Sequence, residues 1–270
     1  MPELPEVETI ARSLAPHLVG RRIEAVTVRE RRLRERVAAG FARALTGRRI
    51  TALARAGKTL VATLDDERFW LVHLGMTGRL TLVKGPATFR PHDHVEIALD
   101  DGHRVVYNDV RRFGRMLVVP RESVAAAVGL GIEPLGPEAR AEVLAERARG
   151  RTLSIKAFLM DQRQLLGIGN IYASEILFHA GLRPRRQAGR LKRADWERLV
   201  AGVRAVLEEA IECGGSTISD YRDGFERFGS YQLRHRVYDR AGEPCVTCGS
   251  PIRSLVIVGR SSYFCPTCQR

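Results

Sequence analysis

The hydrophobic positions change rhythm along the chain. At the start they recur at helical spacing, with Val7, Ile10, Leu14 and Leu18 on one face. Pro5 suits a first helical turn, and Glu6 and Glu8 favour the positive end of the helix dipole, so a helix is predicted there. Segments 21–30, 48–64, 68–83, 94–99 and 103–119 instead have the Val, Ile, Leu and Thr content of strands. Asp65-Asp66-Glu67 and Asp100-Asp101-Gly102 interrupt them where hairpin turns belong. Between about Pro120 and Pro137 glycine and proline accumulate, and the pattern then becomes helical over 137–149, 154–165, 170–180 and 192–212. The expected class is α+β and multidomain: a β-sandwich with a leading helix over 1–120, a helical domain over 121–236, and a distinct C-terminal module over 237–270.

That last module is defined by cysteine. Cys245-Val246-Thr247-Cys248, sixteen residues, then Cys265-Pro266-Thr267-Cys268 is four-cysteine zinc spacing. Four thiolates close the coordination shell and leave no position for water or substrate, so one structural Zn²⁺ is expected. The β-like stretch Ser254 to Val258 lies between the pairs and predicts a hairpin ribbon, with Arg260 near its tip. The fifth cysteine, Cys213, is read as a buried thiol. This usage fits a reducing compartment better than a disulfide framework.

Charge adds a partner. The formal net charge is +13 and the pI near 10.3, which points to a polyanion, most simply nucleic acid. Charge alone does not separate an enzyme from a basic binding protein. Only four of the 44 basic residues are lysines: Lys58, Lys84, Lys156 and Lys192. They are therefore candidates for work that arginine cannot do. A hydrophobic content of 44% excludes general disorder, no apolar run is long enough to span a membrane, and the acidic start is unlike a signal peptide. A cytoplasmic protein is expected.

The candidate chemistry lies at the start. Methionine before a residue as small as proline is normally excised, which would expose the secondary amine of Pro2 next to the Glu3 carboxylate. An α-amino group titrates near ~8, against ~10.4 for lysine, so far more of it is a free nucleophile at neutral pH. Such an amine can form a Schiff base with an aldehyde-like carbon, and Glu3 can move the protons. For Pro-Glu alone, an ordinary helix start is the simpler reading.

Further along, Lys58 sits beside Gly57, which suggests close backbone approach or a turn. Met76 and Phe113 each occupy a glycine-flanked loop, His73-Leu74-Gly75-Met76-Thr77-Gly78 and Asn108-Asp109-Val110-Arg111-Arg112-Phe113-Gly114. Both apolar residues suit packing, but also the wedges that a DNA-distorting protein inserts into a base stack, with a nearby cation holding the orphaned base. His92, in Pro91-His92-Asp93-His94, reads as a turn histidine or a metal ligand. In Gln164-Leu165-Leu166-Gly167-Ile168-Gly169-Asn170-Ile171-Tyr172-Ala173, two glycines at a helix–turn–helix join let backbone amides approach a phosphate, with Asn170 as cap or donor. Residues 214–236 form a loop too long to be a passive connector.

The run Pro2-Glu3-Leu4-Pro5-Glu6-Val7-Glu8-Thr9 closely resembles the N-terminus of the formamidopyrimidine-DNA glycosylases, bacterial base-excision repair enzymes. The resemblance continues through the glycine-flanked loops, the helix–two-turn–helix, Gly214-Gly215-Ser216-Thr217 and the cysteine ribbon, and so covers essentially the whole chain. It implies a monomeric, bifunctional glycosylase and abasic-site lyase. The implied substrate is duplex DNA containing oxidised purines, such as 8-oxoguanine and formamidopyrimidines, or abasic sites. Pro2 would be the nucleophile and Glu3 the proton carrier, with Lys58 and Arg260 serving proton donation or phosphate anchoring. Met76, Arg111 and Phe113 would fill the gap in the stack, and His92 would contact a phosphate. Arg151, Lys156 and Asn170 would lie near the DNA or the damaged base. The 214–236 region would cover the everted base, although Tyr221-Arg222-Asp223-Gly224-Phe225-Glu226-Arg227-Phe228 departs from the more usual Gly-Pro-containing version. Two other readings remain: an endonuclease VIII-like enzyme for oxidised pyrimidines, which Leu4 and Val7 disfavour, and a lesion-binding zinc-ribbon protein without activity.

Overall fold

The computed structural model describes residues 2–85, 89–217 and 222–270. The chain folds as two compact units, one of residues 1–128 with 213–230, the other of 129–212 with 231–270.

The first unit begins with α1 (Leu4–Leu18) and β1 (Ile23–Val28), followed by a short α2 (Phe41–Leu45). Seven strands follow: β2 (Ile50–Ala56), β3 (Thr59–Leu64), β4 (Phe69–His73), β5 (Arg79–Lys84), β6 (Asp93–Leu99), β7 (His103–Asn108) and β8 (Arg115–Val119). With β1 they form two antiparallel four-stranded sheets, ordered β1-β6-β7-β5 and β2-β3-β4-β8. The predicted helical face is the buried one. Val7, Ile10, Leu14 and Leu18 join Trp70, Leu80, Val95, Tyr107 and Met116 in a single core, each aliphatic side chain contributing about 1.5–3 kcal/mol. An eight-residue helix, α3 (Arg121–Val128), closes the unit within the predicted junction. Neither α2 nor α3 follows from the sequence pattern, since one is a single turn and the other buries no residue.

Three segments of strand-like composition are broken, and the breaks fall at the glycine-marked turn and loops that carry the candidate residues. The 48–64 segment turns at Gly57-Lys58, with Ala56 opposite Thr59 and Gly57 at φ +57°. Glycine at the first of two hairpin positions supplies the positive φ that this connection needs. The 68–83 segment opens at 74–78 around Met76, and the 103–119 segment opens at 109–114 around Arg111 and Phe113.

The second unit holds α4 (Ala141–Ala148), α5 (Ile155–Met160), α6 (Asn170–His179), α7 (Arg193–Glu212) and a hairpin of β9 (Arg253–Ile257) and β10 (Arg260–Phe264). Ile171 to Phe178 of α6 are all buried, which marks it as the central helix of this unit. Phe158 meets Trp196 edge-on at 5.4 Å. A smaller cluster of Phe178, Val237, Cys245, Ile252 and Cys265 joins the ribbon to α6, so the C-terminal residues share a unit with the helices. The long loop is divided differently from the expected boundary at 236. Residues 213–230 belong to the β unit, and Tyr231–Arg234 form a 3-10 turn in the second unit. Residues 218–221 of that loop, including Tyr221, lie outside the described residues.

Candidate active site and nucleic-acid interface

Pro2 and Glu3 are buried, and Glu3 is the extended N-cap of α1. The Glu6 carboxylate one turn on accepts the Glu3 backbone N–H at 2.8 Å through Oε2. Its other oxygen accepts the Ser216 backbone N–H at 2.7 Å. Glu8, on the next turn, receives Arg55 Nε at 2.9 Å, and the same guanidinium donates to the Gly57 carbonyl at 3.2 Å. Burial pushes the Glu8 carboxyl up, but hydrogen bonds from Arg12 and Arg55 outweigh it and hold the group below the ordinary carboxylate value. The helix that presents Pro2-Glu3 thus also fastens the turn carrying half-buried Lys58. His73, opposite Thr59 in the sheet, is driven down to about 4 by burial, then by the positive charges of Arg115 and Lys58. It is neutral, and its Nδ1 accepts the Gly75 N–H at 3.1 Å.

The loop around Met76 and the loop around Phe113 are built on one buried carboxylate, Asp109. Oδ1 accepts Thr77 Oγ1 at 2.6 Å, while Oδ2 accepts Tyr107 OH at 2.9 Å and the Gly114 N–H at 2.8 Å. Burial and then the Asp109 charge push the Tyr107 phenol far up, so it is a permanent donor. Thr77 Oγ1 in turn accepts the Arg111 N–H at 3.1 Å. The loops meet backbone to backbone: a Cβ on Gly75 would lie 2.4 Å from the Phe113 carbonyl carbon, which explains the glycine. Above this frame Met76 and Phe113 stand 40% and 41% exposed, with the Arg111 guanidinium 4.5 Å over the Phe113 ring. An exposed apolar pair on hydrogen-bonded turns is not core packing. His92 is exposed at φ +71°, and its carbonyl accepts the Asp109 N–H at 3.1 Å, so its turn is fixed to the same frame. His94 is committed to the Asp109 carbonyl at 2.8 Å, which speaks against a His92–His94 metal pair.

In the second unit, Ser154 caps α5 by accepting the Ala157 N–H at 3.2 Å. The two-turn join is braced by Gln162, whose amide donates to the Met160 and Ile168 carbonyls and accepts the Gly167 N–H at 2.8 Å. Gly169, not Asn170, is the N-cap of α6. Asn170 occupies the first helical position, and its buried Oδ1 has no hydrogen-bond partner among the described residues. Arg151 is exposed. Lys156 is not a surface cation. It is 0% exposed, and Nζ donates to the Ser261 carbonyl at 3.0 Å and to Ser262 Oγ at 2.7 Å. It therefore braces the start of β10, where Arg260 is exposed beside the Val258-Gly259 turn.

The four predicted cysteines converge. Their sulfurs lie within 4.8 Å of one another, with Cys245–Cys268 at 3.9 Å and Cys248–Cys265 at 3.5 Å. Zn–S bonds of ~2.3 Å in a tetrahedron give edges of about 3.8 Å, so the donor set fits zinc. Gln269, fully buried, accepts the Cys265 N–H and donates to the Leu182 carbonyl, both at 2.8 Å. Cys213 is half-buried, not buried, because it sits at the mouth of the 213–230 loop.

The matches to known proteins cover the same regions. Family models match residues 1–116 (formamidopyrimidine-DNA glycosylase N-terminal domain), 130–222 (formamidopyrimidine-DNA glycosylase H2TH domain) and 242–270 (zinc finger found in FPG and IleRS). The chain belongs to the formamidopyrimidine-DNA glycosylase family. The formamidopyrimidine-DNA glycosylase of Azorhizobium caulinodans is 45% identical over 293 residues, with both chains covered completely. A variant of the Lactococcus lactis FPG protein, solved with Fapy-dG-containing DNA, superposes with TM-score 0.91 at 32% identity over all of both chains. MutM (FPG) from Thermus thermophilus gives 0.88 at 39% identity, covering 99% of this chain and 98% of its own. Family membership makes the four-cysteine cluster a zinc finger.

Sequence reasoning missed four side chains that build this glycosylase frame. Glu6 was read only as a helix-dipole acid, although its three-residue offset from Glu3 is capping-box spacing. Asp109 and Gln162 gave no signal of their own. Glu175 did: it is a lone acid in the apolar α6, and a buried charge must find donors. It accepts the N–H groups of Arg236, Val237 and Tyr238 at 2.8–3.0 Å, while burial still pushes its carboxyl up.

Proposed function

We propose that this protein is a DNA glycosylase for oxidised purines that also cleaves the resulting abasic site, acting on duplex DNA in the cytoplasm. The observation that carries the reading is the buried Pro2-Glu3 pair at the capped start of α1. With Met1 removed, the Pro2 nitrogen attacks C1′ of the damaged nucleotide; a C1′–N bond forms, the bond to the base breaks, and the base leaves with the proton that the Pro2 amine gives up. Glu3 donates a proton to the ring oxygen as the sugar opens, leaving an iminium. That charge acidifies C2′, and loss of its proton expels the 3′ phosphate; a second elimination expels the 5′ phosphate. Lys58 and Arg260 supply proton donation or phosphate anchoring in these steps.

Met76, Arg111 and Phe113 fill the vacated stack, supported by their exposure on the rigid Asp109 frame. His92 and Asn170 engage phosphates, and Arg151 and Lys156 lie near the DNA or the damaged base. Zinc, where bound, holds the ribbon that carries Arg260 and takes no part in the chemistry. No helix among the described residues is long and apolar enough to cross a membrane. The proposal is tested by single-turnover incision of duplexes holding 8-oxoguanine or an oxidised pyrimidine. Faster excision of the purine is expected. Preferential release of the pyrimidine would favour the endonuclease VIII-like reading.

A further inference from the structure

The strap 213–217 and the return limb 222–230 of the long loop both ride on α1. At the base of the loop, Thr217 Oγ1 accepts the Gly229 N–H at 2.9 Å and Cys213 accepts the Ser230 N–H at 2.9 Å. The return limb lies further along the helix. Gly224 donates to Ser13 Oγ and packs where a Cβ would meet Leu14 at 2.5 Å, and Phe225 meets His17 edge-on at 5.1 Å. At the helix start, the strap is held by Glu6. A Cβ on Gly215, already at φ +81°, would lie 2.7 Å from Glu6 Oε1.

We propose that Glu6 is a positioning residue that locks the loop's strap to the backbone of Glu3, so that seating of the loop and alignment of Pro2-Glu3 are one event. The inference rests on the function proposed above. The hydrogen bonds to these two amides are buried and use one carboxylate oxygen each, so a shift of the carboxylate disturbs both together. A helix-dipole acid would need no second partner, and its charge would suffice. Here both oxygens are committed, one to the catalytic end and one to the loop.

The test uses the full-length protein, Glu6→Asp, Glu6→Gln, Gly215→Ala and the Glu6→Gln/Gly215→Ala double variant. Aspartate keeps the charge but is a methylene too short to span both amides. Glutamine keeps the length but offers one acceptor oxygen and turns donors towards the other N–H. Borohydride trapping on 8-oxoguanine duplex should fall about 10- to 100-fold in each single variant, as expected for a small misplacement of reacting groups. Duplex affinity should hold, and the double variant should be no slower than the slower single one, because both substitutions break one link. Amide hydrogen exchange reads the bracket apart from chemistry: Glu3 and Ser216 should lose protection together in Glu6→Gln. Aspartate at the unsubstituted rate, losses that multiply in the double variant, or separate loss of the two amides would overturn the bracket. Unsubstituted protein that protects both amides yet traps no DNA would count against the proposed function instead.

Discussion

Arg111 and Arg260 are both exposed beside tight turns containing positive φ angles, yet the turns are held by different means. The Arg111 turn stands on Asp109, which sits over the large core that joins both sheets and α1. Its rigidity comes from hydrophobic burial and from one carboxylate whose hydrogen bonds reach two loops. The Arg260 turn projects from a two-stranded ribbon over a cluster of five buried residues, two of them cysteines. A two-stranded hairpin is marginal alone. Rigidity there comes from metal, from Lys156 and from Gln269. The same kind of arginine can thus be presented by a core or by a staple, and the two presentations should fail differently.

The largest expected effect breaks the staple. Structural zinc supplies ~10 kcal/mol or more of local folding free energy, so Cys265→Ser should release the metal and disorder the ribbon. DNA affinity and turnover should fall together, while the near-ultraviolet signal of Trp70 in the β unit stays native. Metal analysis with circular dichroism checks this, and intact protein without zinc would refute it.

Lys58 extends the comparison to a third turn, held by Arg55 and Glu8. If this lysine transfers a proton, arginine cannot replace it, since its pKa above ~12 forbids the exchange. Lys58→Arg should then leave duplex binding intact and slow 8-oxoguanine excision by roughly 10²–10⁴-fold. Nicking of a pre-formed abasic site should suffer less. Single-turnover rates on the two substrates decide it, and equal losses would remove the role.

Asp109→Asn tests the core-built turn. An amide can replace only one of the two acceptor oxygens, leaving a buried N–H or hydroxyl unserved at a cost of about 1–3 kcal/mol. Urea unfolding should register that loss in the β unit, with zinc content unchanged. Affinity for undamaged duplex should hold better than affinity for a lesion, because the wedge loosens and the phosphate contacts do not.

The smallest effect is shared. His73 in the β unit and His235 in the other are each pushed down to about 4, first by burial, from an ordinary value of 6.5. The folded state excludes a proton that the unfolded chain accepts. Stability is therefore full above pH 6.5 and falls as pH drops towards 4, by at most about 1.4 kcal/mol per pH unit for each histidine. Denaturant midpoints at pH 7 and 5 should differ less in His73→Gln than in the unsubstituted protein.

Much of this was legible in the sequence. The helical face of α1 and the four cysteines were, because each depends on spacing within a short window. Lys58, Met76, Arg111 and Phe113 were named, and the glycines beside them marked a turn and two loops, but the residues at which each strand stops were not legible, because pairing across the sheet decides them. The burial of Lys156 was not legible for a physical reason: a lysine in a basic chain reads as a surface cation, and nothing local reveals its partners Ser261 and Ser262, 105 and 106 residues away. Asp109 and Glu6 were hidden in part the same way, because Thr77 and Ser216 lie 32 and 210 residues from them.

The central claim is that the Pro2 amine is the nucleophile. Borohydride reduction of the protein on 8-oxoguanine duplex, followed by mass spectrometry of the cross-linked peptide, tests it most directly. The account predicts DNA mass on a peptide beginning at Pro2, and no cross-link when an N-terminal extension blocks that amine while duplex binding persists. A cross-link through an internal lysine, or one that survives the extension, would contradict it.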